Sequence, residues 1–176
     1  MTILNIIYLG FLVFFLACVA QRDVVKERSR RVTITVMDAK CRKFQDFKIE
    51  RYELDGKMCL YWSKGAKNFT DAKKDCEAQG ARLGVFKGAE KMQILIRQNV
   101  IWKRNFWIGL DDLVTEGTLV WHDGTILPRS DYYPLYFNAY NPSGSTQRCV
   151  QFWTSDGKLD DVECYSIRYY VCEKLL

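Results

Sequence analysis

The chain has 176 residues, 48% of them hydrophobic and 27% charged, with one histidine, seven cysteines and a formal net charge of +5. That length suits one ordinary domain with a core of its own. Arg22, Lys26, Arg28, Arg30 and Arg31 against Asp23 and Glu27 place +3 of the charge in residues 21–31, so only +2 remains elsewhere and a nucleic-acid surface is not expected.

Residues 1–20, MTILNIIYLGFLVFFLACVA, are an apolar run ending in small residues, the form of a secretory signal peptide cut after Ala20. The rival reading is a membrane anchor. Its uncharged stretch from Ile6 to Ala20 is 15 residues, against the ~20 needed to span a bilayer, so secretion with no retained membrane span is expected. Residues 21–56 read as a basic stem and N-terminal extension. Arg28-Ser29-Arg30-Arg31 has the form of a secretory processing site, and the alternative is a solvated, disordered tail. Removal of Cys18 with the signal leaves Cys41, Cys59, Cys76, Cys149, Cys164 and Cys172, an even set that indicates disulfides, with 15 pairings open by arithmetic.

Val32–Val36, VTITV, has strand composition, and no firm element is legible from Asp38 to Lys57. Met58–Trp62, MCLYW, predicts a strand. Phe69, Ala72 and Cys76 recur at helical spacing behind Asn68, a suitable N-cap that also heads a glycosylation sequon. Gly88–Val100 predicts a second helix with Met92, Leu95, Ile96 and Val100 on its apolar face. Beyond Asn105 come short aromatic runs and turn signals, including Asp123-Gly124, and an irregular region from Ile126 to Thr146. Helices first and strands later indicate an α+β class with antiparallel sheets.

The run Phe69-x-x-Ala72-x-x-x-Cys76, then Trp107-Ile108-Gly109-Leu110, Trp121-x-Asp123-Gly124 and the closing Cys149, Cys164 and Cys172 resemble a C-type lectin-like domain over about residues 57–174. The resemblance implies an α+β double-loop fold of two helices, antiparallel sheets and a long irregular loop, stapled by disulfides, with the domain at residues 57–176. It also implies pairs Cys76–Cys172 and Cys149–Cys164, leaving Cys41–Cys59 as the remainder, with an interchain role for Cys41 as the alternative. Cys76–Cys172 would close nearly the whole domain, on the order of 4–5 kcal/mol in the chain-entropy account.

Sugar-binding members hold calcium between a loop tripeptide centred on proline and an acidic pair before the penultimate cysteine. Here those positions are Asn141-Pro142-Ser143 and Leu159-Asp160-Asp161. The loop motifs look closest to those of the small galactose-binding lectins of tunicates, in which the serine and the two aspartates are ligands and a tryptophan packs on the sugar. The implied calcium set is Asn141, Ser143, Asp160 and Asp161, and the implied galactose set adds Trp153. Asn141 replaces an acid, which predicts a weak calcium site, since charged ligands raise affinity. Trp153 is either the stacking ring or a core residue. Gln147 stands where many members have a ligating Glu, and His122 reads as structural.

No nucleophile or general base is grouped with partners that would support catalysis. The expected activity is reversible binding of cell-surface or microbial glycans, strengthened by a homodimer through VTITV or Cys41. The alternative is a calcium-independent domain that binds a protein partner. A third reading, an anionic-glycan binder using Lys40, Arg42, Lys43, Lys48 and Arg51, rests on a charge cluster alone.

Overall fold

The structure, a computed structural model, describes residues 18–29, 36–52, 56–138, 141–142 and 146–176. Most of the expected signal peptide, the processing site after Arg31 and residues 32–35 of VTITV lie outside these. Residues 18–29 are helical through the expected cut at Ala20, so the stem, for which a solvated, disordered tail was the alternative to a processing site, carries a helix at 21–29. Lys, Glu and Arg there are good helix formers. Val36 opens a further helical stretch, residues 36–41, where a strand was expected.

The compact unit runs from Cys41 to Leu176. Its strand β1 (Lys48–Tyr52) pairs antiparallel with β2 (Gly56–Trp62). The expected boundary at residues 56 and 57 therefore falls inside a hairpin, and residues 41–56 belong to the domain. Helix α1 (Phe69–Ala78) begins at the expected N-cap: Asn68 Oδ1 accepts from the Asp71 amide at 2.9 Å. After β3 (Arg82–Leu83), helix α2 (Ala89–Trp102) buries Met92, Ile94 and Leu95. Val100, expected on the apolar face, is 75% exposed, because the buried stripe runs from Ile94 and Leu95 to the half-buried Trp102 and turns Val100 to solvent.

Strands β4 (Phe106–Asp111), β5 (Val120–Trp121), β6 (Cys149–Trp153), β7 (Lys158–Val162) and β8 (Tyr169–Lys174) complete the sheet, in the order β1-β2-β8-β4-β6-β7, with β3 on β8 and β5 on β4. The pairings are antiparallel except β4 with β8, which is parallel. Period-two alternation divides the core into two sides. Phe106, Ile108 and Leu110 of β4 join Phe86, Leu95 and Trp121 on one. Trp107, with Cys172 of β8, joins Phe69 and Cys76 under α1 on the other. Gly109 must be glycine: a Cβ there would stand 2.4 Å from the Leu83 carbonyl oxygen.

Disulfides Cys41–Cys59, Cys76–Cys172 and Cys149–Cys164 are formed. Cys41 is buried and bonded within the chain, so it does not supply an interchain bridge in this structure.

Candidate functional site

The Cys149–Cys164 bridge and the β6–β7 register build the site. Strand β6 faces β7 with Gln151 opposite Asp160 and Trp153 opposite Lys158, so all four side chains share one face of the hairpin. Gln151 Nε2 donates to Asp160 Oδ2 at 2.8 Å, and Gln151 Oε1 accepts from Arg168 Nε at 2.6 Å. The other Asp160 oxygen accepts from Asn141 Nδ2. Burial pushes the Asp160 carboxyl above the ordinary range, and the Gln151 and Asn141 hydrogen bonds only partly offset this.

The long loop is tied to the same hairpin. Phe137 bridges to Leu159, Lys158 Nζ donates to the Pro134 and Leu135 carbonyls, and Asn138 donates to Asp156. The Asn141–Pro142 bond is cis, and the Tyr133 hydroxyl donates to the Asn141 carbonyl. Thus Asn141, near the loop tip, meets Asp160 although 19 residues separate them.

The expected site residues divide as follows. Asn141 and Asp160 come together; Ser143 lies outside the described residues. Asp161, 2% exposed, lines a neighbouring cavity of about 300 Å³ with Asp112, Tyr132, Pro142 and Gln147. Trp153 is 38% exposed, so it is not a core residue, and two residues of strand separate it from Gln151 on the shared face. His122 is structural as expected: its Nε2 lies 2.8 Å from Asp111 Oδ2 and its ring meets Phe69 edge-on at 5.7 Å.

Gln151, Arg168 and the pair Arg148–Asp112 were not foreseen. Arg148 Nε donates to Asp112 Oδ1 at 2.9 Å, and its terminal nitrogen donates to the Asp112 carbonyl. A cationic group thus sits against the carboxylate that lines Asp161's cavity. Gln151 could have been found from the period-two pattern once Cys149 and Cys164 were paired, but Arg168 carries no local signal.

In kind, the donors fit a hard cation: an Asp160 carboxylate, the Asn141 amide oxygen after a half-turn of its side chain, and the Gln151 amide beneath. In charge they are sparse. Among the described residues no three His, Cys, Asp or Glu side chains are grouped as metal ligands.

The Lectin C-type domain family matches residues 65–174. The chain is 34% identical over 117 residues to C-type lectin domain family 4 member M of Symphalangus syndactylus, covering 66% of this chain and 27% of that protein, so it spans little more than a quarter of that relative's length. It is 35% identical over 127 residues to a tetranectin-like protein of Carcharhinus perezii, covering 68% of this chain and 72% of that one. Among solved structures, the C-type lectin TC14 from the tunicate Polyandrocarpa misakiensis superposes with a TM-score of 0.59 at 26% identity, over 66% of this chain and 97% of that one.

Proposed function

The chain belongs to the C-type lectin domain family, a family of carbohydrate-binding domains rather than enzymes, and on that premise we propose that it is a secreted, calcium-dependent lectin that prefers galactose. The observation that carries the reading is the meeting of Asn141 with Asp160 on the face that also exposes Trp153. Asn141, Ser143, Asp160 and Asp161 would hold the ion, which when bound offers open positions to two neighbouring sugar hydroxyls. Arg168, through Gln151, orients the Asp160 carboxylate. The Trp153 ring supplies a flat apolar surface for the sugar's C–H face.

Secretion is supported by the leader-like first 20 residues. No helix among the described residues is long and apolar enough to cross a membrane. A homodimer would raise the avidity of weak single sites. Asn68 is read as glycosylated as well as capping: its Nδ2 donates to Asp71 Oδ2 at 2.9 Å, and a glycosylated amide keeps one N–H for that bond.

The test is retention of the secreted protein on galactose beads in calcium, elution by a chelator, and the Asp160→Asn, Asp161→Asn double variant. Retention lost in the chelator and in the variant supports the reading; retention indifferent to both overturns it. The second reading, a calcium-independent domain for a protein partner, is favoured by Arg148, whose guanidinium supplies a built-in cation beside Asp112. It is the reading to adopt if no simple sugar retains the protein and calcium leaves its melting temperature unchanged.

A further inference from the structure

The homodimer read above needs a surface other than Cys41, which is bonded within the chain. Strand β1 stands at one end of the sheet, and among the described residues no strand covers its outer side. The direction of its backbone groups follows from its neighbours. Ser63 N–H donates to the Tyr170 carbonyl at 3.0 Å, in continuation of the β2–β8 ladder. Bonding sides alternate along a strand, so Cys59 and Tyr61 bond toward β8, while Met58 and Leu60 bond toward their partners Glu50 and Lys48. Ile49, between those two, therefore turns its N–H and C=O to the outer edge.

Arg51 has the same parity, and its carbonyl accepts from the Arg97 guanidinium of α2. That contact sets one face of α2 over the edge of the sheet. Val100 and Ile101, three and four residues beyond Arg97, share that face and are 75% and 69% exposed. Two adjacent β-branched side chains thus stand in solvent beside an open strand edge.

Charged residues on an edge strand ordinarily discourage pairing. Here their order is complementary to itself. Lys48 and Glu50 lie on one side of β1 with Ile49 between them. A two-fold axis through Ile49 sets Lys48 of each copy opposite Glu50 of the other, giving two opposite-charge pairs. The same axis brings the outward groups of Ile49 together, so each Ile49 N–H reaches the partner's Ile49 carbonyl. An axis moved one residue to Glu50 fails twice: it opposes two like charges, and it turns to the seam backbone groups already bonded to β2.

We propose that β1 is the docking edge for a second copy of this chain, an antiparallel pair about Ile49 that extends the sheet and covers Val100 and Ile101 with the partner's helix. The proposal rests on the homodimer part of the reading above, not on calcium or galactose. Strand β7 closes the strand order at the opposite end, so both Asn141–Asp160 faces stay open in the pair. Two weak sites then share one body, the condition for avidity.

The experiment is sedimentation velocity of the full secreted chain in chelator, over a concentration series, with Lys48→Glu and Glu50→Lys as single variants whose melting temperatures match the parent's. Each single variant opposes like charges across the seam and should weaken the dimer by about tenfold or more. Mixing the two in equal amounts should restore it, because each chain then meets opposite charges on the other. A Val100→Ser, Ile101→Ser variant should associate more weakly as well. Single variants that associate like the parent, a mixture that stays monomeric, or a monomeric parent would each overturn the proposal; a monomeric parent that pellets with phosphatidylserine vesicles would give the apolar patch to a membrane instead. Galactose retention lost with the dimer intact would overturn the sugar reading alone.

Discussion

Gln151 stands between Arg168 and Asp160, accepting from the guanidinium at 2.6 Å and donating to the carboxylate at 2.8 Å. The buried amide therefore couples a basic side chain in the loop before β8 to the acid on β7. Asp160's second oxygen is left for the Asn141 side chain, so the long loop closes on a carboxylate already oriented from behind.

Replacing Gln151 with Leu should remove one donor from Asp160 and one acceptor from Arg168 while keeping the side chain's bulk. A loss of about 1–3 kcal/mol is expected from leaving buried polar groups unsatisfied, measured by urea unfolding. The sign of the accompanying pH effect follows from burial, which raises the Asp160 carboxyl. That group's contribution to stability is full below the ordinary aspartate range and is lost as pH rises through the raised folded value. Gln151's hydrogen bond lowers that value, so the variant should lose galactose retention at a higher pH on acidification than the parent. Identical acid profiles would argue that the amide does not tune the carboxylate.

Asp123 should behave in the opposite way. Burial pushes its carboxyl up, but the Lys87 ammonium and the Thr125 hydroxyl and amide outweigh burial and hold it down, to about 2. The stability it contributes is present above the ordinary aspartate value and lost as pH falls toward about 2. Thermal unfolding of Asp123→Asn should therefore show a deficit near neutrality that shrinks through this acid window. A deficit constant with pH would point to lost turn geometry instead of lost charge.

Trp153→Ala should leave the fold nearly unchanged, within about 0.5 kcal/mol, because the ring is exposed. Its effect belongs on sugar capture. Losing an aromatic face worth about 0.5–1.5 kcal/mol weakens binding roughly two- to thirteenfold, read by galactose competition against bead retention. Full retention would remove Trp153 from the sugar face.

Arg148→Met should uncover the buried Asp112 carboxylate beside Asp161, at a cost of about 3–5 kcal/mol for breaking a mostly buried pair. With the built-in cation gone, calcium should raise the variant's melting temperature more than the parent's. If calcium affects the two equally, the guanidinium does not stand in for a metal ion at that cavity.

The helices and the FWIGL strand were legible because apolar spacing reports burial directly, whereas the disulfide pairing came only from the family resemblance, the cysteine count by itself leaving 15 pairings open. Phe69, Ala72 and Cys76 are buried as their spacing predicts. Lys48–Tyr52 was not legible, because KIERY is an edge strand whose charged residues hide its alternation, and its pairing with residues 56–60 is what makes it regular. The turned face of α2 escaped because Met92, Leu95, Ile96 and Val100 are consistent with more than one helix rotation, and only the packing of Ile94 selects one. At the candidate site, Asn141 and Asp160 were named from a motif, but the Gln151–Arg168 support depends on register and on a loop distant in sequence.

The Cys41–Cys59 bridge and the pairing of Cys59 with Lys174 also set where the domain can be joined to something else. Cys41 lies 5.7 Å from Cys59 between Cα atoms, and Lys174 sits one strand away from Cys59, so chain entry and exit emerge side by side, within roughly two strand spacings. A short linker from Leu176 to Cys41 should permit circular permutation. New ends opened in an exposed turn such as that around Gly157 would then place a fusion partner next to the β6–β7 face proposed to read glycans, whereas partners joined at Cys41 or Leu176 attach beside β2 and β8, two or more strands away from β6.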